Sequence, residues 1–243
     1  MRNQLKYSAS VAALALASGL AMSAPAAAVD LGPSGPSAYS WQGFYLGGHI
    51  GGGEANTAGI FNGPAPSSSA VPLDFDLSGV LGGVHAGYNW DFGRFVAGVE
   101  GDWTGMDWQG IEYAFSSSEA GRATVDSLAS IRARLGVTPD AERRVLLYGT
   151  VGAAWIDAEV QTASNDGFFD GTNSFDGEVG VVAGGGVEWA ASNNVRLRME
   201  TLYYNFDESQ AVNNTSAVTG DFVELEDVWT ARVGVSWYFK GPF

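Results

Sequence analysis

Two stretches set arginines one residue apart: SIRARLGV holds Arg132 and Arg134, and VRLRME holds Arg196 and Arg198, with Arg232 a single further case in TARVGV. Acids stand at comparable spacing, Glu100 and Asp102 in VEGDW, then Glu178, Glu188 and Glu200. In an extended chain residues two apart share a face, so each such pair points one way. A planar guanidinium forks onto a carboxylate through two hydrogen bonds, which makes ion pairing the chemistry these residues favour. Alternating arginines also suit the constriction of an ion passage. His49 and His85 are the other candidates, as a ligand pair for a metal or haem iron. With two histidines, no cysteine and no nucleophile or carboxylate signature beside them, the sequence points to no catalytic residue, no defined metal site and no cofactor.

The elements that must carry these residues are strands. From Trp41 onward period-two alternation dominates, in eight segments near 42–53, 78–91, 95–104, 123–137, 145–160, 177–190, 195–206 and 227–239. All 8 prolines lie outside them, as a ladder that needs every backbone N–H requires. Short links, 91–94, 138–144 and 191–194, follow the second, fourth and sixth segments, and long acidic stretches follow the others. That alternation is the asymmetry of an outer-membrane barrel, with short periplasmic turns, long external loops and both termini periplasmic.

Each segment has one face without charge. In the fourth, Ile131, Ala133, Leu135 and Val137 oppose Arg132 and Arg134. Aromatics on the uncharged faces gather near the turn side (Phe44, Trp90, Phe95, Tyr148, Trp189, Trp237, Phe239) and near the loop side (Trp103, Tyr203, Trp229). Two aromatic belts on an uncharged surface mark a lipid-facing wall. The expected fold is therefore all-β, an eight-stranded antiparallel up-and-down transmembrane β-barrel.

Charge and the chain ends set further bounds. Residues 1–28 carry two bases, a small-residue apolar run and Ala26-Ala27-Ala28, the pattern of a secretory signal peptide. Residues 29–40 read as a flexible periplasmic lead-in and 41–243 as the barrel domain. Without the leader the chain has 10 bases against 27 acids, a net charge of −17 that excludes nucleic acid as a partner.

Sorted by face, Glu100, Asp102, Arg132, Arg134, Glu178, Glu188, Arg196, Arg198, Glu200 and Arg232 fall inside the barrel, together with Asp126, Asp157 and Glu159. An eight-stranded lumen is only wide enough for side chains, so these charges are expected to pair into a plug. The roles this leaves are envelope structure and surface presentation, a narrow porin for small solutes or ions, or a receptor or adhesin for haemin or a host ligand. For the last, the acidic loops, with aromatics such as Phe61, Trp108, Tyr113 and Phe168, would supply the contacts.

WQGFYLGG (41–48), GVHAGYNW (83–90), FVAGVEGDW (95–103), LASIRARLGV (128–137), LLYGTVGAAW (146–155), GGGVEWA (184–190), VRLRMETLYYNF (195–206) and TARVGVSWYF (230–239) resemble the small porin-like outer-membrane β-barrel family of alphaproteobacteria, which includes surface antigens and a haemin-binding branch. The resemblance implies a monomer in contact with outer-membrane lipid and lipopolysaccharide. It also implies a C-terminal aromatic read by the barrel assembly machinery. Here Lys240-Gly-Pro-Phe243 follows Phe239, a departure from the family pattern. No residue of this sequence carries the haemin-binding attribute across.

Overall fold

The computed structural model describes residues 39–61, 71–114, 119–163, 169–211 and 222–239. Eight strands form one closed antiparallel barrel in chain order: β1 (Gly43–Phe61), β2 (Val71–Phe92), β3 (Phe95–Ala114), β4 (Glu119–Val137), β5 (Val145–Ala163), β6 (Phe169–Ala190), β7 (Val195–Ala211) and β8 (Phe222–Phe239). β8 closes on β1 from Phe44–Phe239 upward. The leader 1–28 and the tail Lys240–Phe243 lie outside the described residues.

The turn ends of the strands fall where the alternation places them, but the other ends do not. Strands of 17 to 22 residues are about twice the 9–11 that cross a bilayer. Stretches expected to be loops, EANTAGIF (54–61) among them, continue as ladder.

Toward the turn end, apolar side chains face out and charges face in. Ile131 and Leu135 are 58% and 65% exposed while Arg132 and Arg134 are 1% and 5%. Phe44, Trp90, Phe95, Trp189, Trp237 and Phe239 form an outward belt at this end, and Trp103, Trp155 and Trp229 form a second one higher up. Above the second belt the polarity inverts. Glu54, Asp107, Asp126 and Asp157 face out, while Leu77, Leu81, Trp108, Val125, Ile156, Val182, Phe206 and Val228 pack into one apolar core inside the barrel.

Three expectations are corrected by this inversion. Asp157 and Glu159 leave the lumen because β5 turns its other face inward: Leu146, Tyr148, Thr150, Ala154 and Ile156 are buried and Leu147, Val151 and Trp155 exposed. Tyr148 is therefore a lumen residue and not part of an outer belt. Asp126 is the extra residue of a bulge between Val125 and Ser127, which reverses the face of everything above it. Asp126 is exposed and Val125 buried. Trp108, expected at a loop surface, is 1% exposed.

The turn end is tightly tied. Gly93 takes φ +81° in the β2–β3 turn, a left-handed conformation open to glycine. Asp140 accepts from the N–H groups of Arg144 and Val145, and Ser192 Oγ from those of Asn194 and Val195. Tyr39 and Trp41 are not part of a loose lead-in. They pack with Val96, Leu146, Tyr148 and Ala190 beneath the lumen, Trp41 wholly buried.

Candidate functional site

The residues whose chemistry stands out all project into the lower lumen, which is ordered in layers. At the bottom, Arg196 sits in an aromatic box, its guanidinium carbon 4.2 Å from the Trp41 ring and 5.1 Å from that of Tyr39, with Tyr238 against its other side. Its Nε donates to Tyr39 Oη at 2.8 Å. Trp41 Nε1 donates to the carbonyl of Arg143 at 2.7 Å and its backbone N–H to Asp91 Oδ2 at 2.8 Å, and Arg143 pairs with Asp91. Among the described residues Arg196 has no carboxylate in ion-pair range; cation–π contacts take that role.

One step higher, Arg134 lies 3.9 Å over the Tyr148 ring and donates to Glu188 Oε1 (2.6 Å), Tyr45 Oη (2.7 Å) and Glu100 Oε2 (3.2 Å). Tyr45 in turn donates to Glu100 at 2.7 Å. In the next layer Arg198 holds both oxygens of Glu100, at 2.8 and 2.9 Å, and reaches Glu200 at 2.9 Å. Glu100 is on β3 and Arg198 on β7, four strands apart, so this fork spans the barrel from wall to opposite wall. Arg132 meets Glu100 at 2.5 Å, Asp102 at 3.1 Å and Glu200 at 3.3 Å, and Tyr148 donates to Glu200 at 2.8 Å.

At the top of the network Arg232 donates to Glu200 and to Asp102, at 2.8 and 2.9 Å, and Ser130 donates to Asp102. His49 and His85 sit beside it on adjacent strands, their Nδ1 atoms 3.3 Å apart. One arrangement of protons satisfies every contact. Arg232 and Thr104 flank His49 Nε2 at 3.4 and 2.9 Å, so His49 Nδ1–H donates to His85 Nδ1 and His85 Nε2–H to Ser236 Oγ at 2.8 Å.

Register explains why these side chains meet. Cross-strand neighbours pair Glu100 with Arg132, Glu188 with Arg198 and Glu200 with Arg232, each an opposite charge on the inner face. Four guanidiniums (Arg132, Arg134, Arg198, Arg232) face four carboxylates (Glu100, Asp102, Glu188, Glu200), so the cluster balances without Arg196. Glu178 is on β6 opposite Ile156, above this cluster, and its side chain lies outside the described residues. The tyrosines that complete the network, Tyr45, Tyr148 and Tyr238, and Asn89, which donates to Tyr238 Oη at 2.6 Å, went unremarked as network members in the sequence. Counting by twos from His49, His85 and Arg232 reaches Tyr45, Asn89 and Tyr238, and that was the available signal.

This is a barrel with a lipid-type outer belt and a charged interior, and the comparisons agree. The sequence model of the family described as "Outer membrane protein beta-barrel domain" matches residues 12–239. The chain belongs to that family. It is 34% identical to the "31 kDa outer-membrane immunogenic protein" of Brucella melitensis over 95% of this chain and 99% of that protein. It is 32% identical to the "22 kDa outer membrane protein" of Rhizobium leguminosarum over 69% of this chain and 65% of that one. Among solved structures, the outer membrane protein OprG of Pseudomonas aeruginosa superposes with a TM-score of 0.57 at 12% identity, covering 84% of this chain and 99% of that one, a likeness of fold. The protein is thus an outer-membrane β-barrel of the alphaproteobacterial kind.

Proposed function

We propose that the protein is a closed structural barrel of the cell envelope, a monomer that presents its acidic upper half at the cell surface, with the three short turns and both termini in the periplasm. The observation that carries this reading is the Glu100–Arg198 fork across the lumen, with Arg132, Arg134, Glu188 and Glu200 packed around it. Tyr39 and Trp41 lie below that plug and an apolar core above it, so three consecutive layers stand in the way of solutes. The orientation rests on the outward apolar belt lying toward the short turns and on the acids gathering at the other end. Relatives named as outer-membrane immunogenic proteins fit a surface-presented upper half. The partners on this reading are outer-membrane lipid around the belt, lipopolysaccharide above it and the assembly machinery that inserts the barrel.

Planar-bilayer recording tests the closed lumen, and the expected result is no stable unit conductance. A unit conductance that changes in Arg132→Ala or Arg198→Ala protein would establish a narrow porin instead. The haemin reading has its own measurement: haemin binding that is lost in the His49→Ala/His85→Ala double variant would place a ligand at the buried imidazole pair.

A further inference from the structure

The barrel is closed only in its lower part. Among the described residues the β2–β3 ladder ends at Leu81–Met106, although β2 extends to Val71 and β3 to Ala114. The β6–β7 ladder ends at Val181–Asn205, although β6 extends to Phe169 and β7 to Ala211. The other ladders continue to the strand ends, through pairs such as Phe61–Val71, Ala114–Glu119, Ala163–Phe169 and Ala211–Phe222. Above the closed part the wall therefore consists of two four-stranded sheets, β7-β8-β1-β2 and β3-β4-β5-β6, parted by clefts on opposite sides.

The two clefts are built alike. A register shift between Gly105 and Trp108 bends β3 where it leaves β2, and one between Asn205 and Glu208 bends β7 where it leaves β6. An aromatic from the bent strand then floors each cleft on a glycine of the other strand. Trp108 lies where a Cβ on Gly79 would come within 2.6 Å, and its Nε1 donates to the Val80 carbonyl at 2.9 Å in place of a ladder bond. Phe206 lies where a Cβ on Gly180 would come within 2.5 Å.

Above each floor, two strand edges have no ladder partner. Such edges are templates for an added strand, and proteins usually blunt or cover them. The edge sequences are VPLDFDLSGV (71–80), DWQGIEYA (107–114), FDGTNSFDGEVG (169–180) and FDESQA (206–211), which hold Asp74, Asp76, Asp107, Glu112, Asp170, Asp176, Glu178, Asp207 and Glu208 and no base. A second copy of this chain would bring acid against acid. An extended segment of opposite charge fits both the open backbone and the local field. We propose that the two clefts take an extended basic polypeptide segment by β-strand addition to these edges. The argument stands on backbone pairing and charge and does not depend on whether the lumen conducts.

The test uses the folded protein in detergent micelles at roughly physiological ionic strength, where exposed charges are screened beyond about 8 Å. The probe is a labelled peptide of about ten residues alternating lysine and threonine, the length of an ordinary strand. A control peptide has the same charge but alternate backbone nitrogens methylated. Fluorescence anisotropy should show binding of the first and roughly ten-fold or more weaker binding of the second, because strand addition needs the peptide N–H groups. Hydrogen exchange should slow on adding the first peptide at 71–80, 107–114, 169–180 and 206–211, and not in the neighbouring parts of β1, β4, β5 and β8. Equal binding of the methylated peptide, exchange slowed evenly over all strands, or no binding would each overturn the proposal. So would a peptide-free dimer with these edges already protected, which would make a second copy the occupant. Asp74→Asn/Asp76→Asn/Asp170→Asn/Asp176→Asn protein that keeps its heat-modifiable migration should bind the lysine peptide more weakly, and undiminished binding would remove the charge argument.

Discussion

Below the loop-side aromatic belt the barrel keeps apolar side chains outside and charges inside; above it the same strands do the opposite. Ile131 faces out and Arg132 in, yet a few residues up the same strand Asp126 faces out and Val125 in. The backbone ladder is continuous through the change, so what differs is the surrounding solvent. Lipid rewards an apolar exterior and forces charge into the lumen, whereas water rewards an apolar interior. The lower half therefore depends on paired charges and the upper half on ordinary hydrophobic packing.

Substitutions that bear on one half and not the other test this contrast. The largest effect is expected for Glu200→Ala, which leaves Arg132, Arg198 and Arg232 short of a carboxylate that all three share. Breaking a buried ion pair from one side costs about 3–5 kcal/mol, read here as a lower temperature at which the folded band converts in heat-modifiable electrophoresis. Next comes Ile131→Lys, a charge placed on the outer belt. It should cost about 2–4 kcal/mol at mid-membrane depth, measured by denaturant unfolding in lipid vesicles. The smallest effect is expected for Asp126→Lys, which reverses a charge on the outer wall of the same strand above the belt. Its stability in the same assay should stay within about 0.5 kcal/mol of the parent. Equal costs for the two lysine variants would show that the inversion does not mark the edge of the bilayer.

The contrast also explains what the sequence disclosed. The lower half was legible because Arg132, Arg134, Arg196, Arg198 and Glu100 alternate with apolar residues, a pattern that only one solvent arrangement satisfies. The upper strands were read as loops because small, polar and acidic residues such as EANTAGIF look like connections until a partner strand supplies the ladder. Tyr148 was assigned outward by the rule that a lipid face carries no charge, a rule that stops holding along β5 once Asp157 rises above the belt. Adjacent-strand encounters such as His49 with His85 follow from parity and depth. Encounters across the lumen, Glu100 with Arg198 or Arg132 with Glu200, depend on register and barrel closure, which no local pattern contains. Tyr39 and Trp41 were hidden by a Gly-Pro-Ser context that reads as flexible chain.

A ring of hydrogen-bonded strands resists stretching along its circumference but yields easily to being squeezed oval. The Glu100–Arg198 fork, crossed by Arg132 to Glu200, acts on that soft mode, since flattening the ring along either diagonal must lengthen one set of short charged contacts or crush the other. The charged layer thus works as the spokes of a wheel. It gives a thin-walled cylinder a rigid round cross-section where lateral pressure from the bilayer bears on it, while the two sheets above, parted by their clefts, are left free to flex.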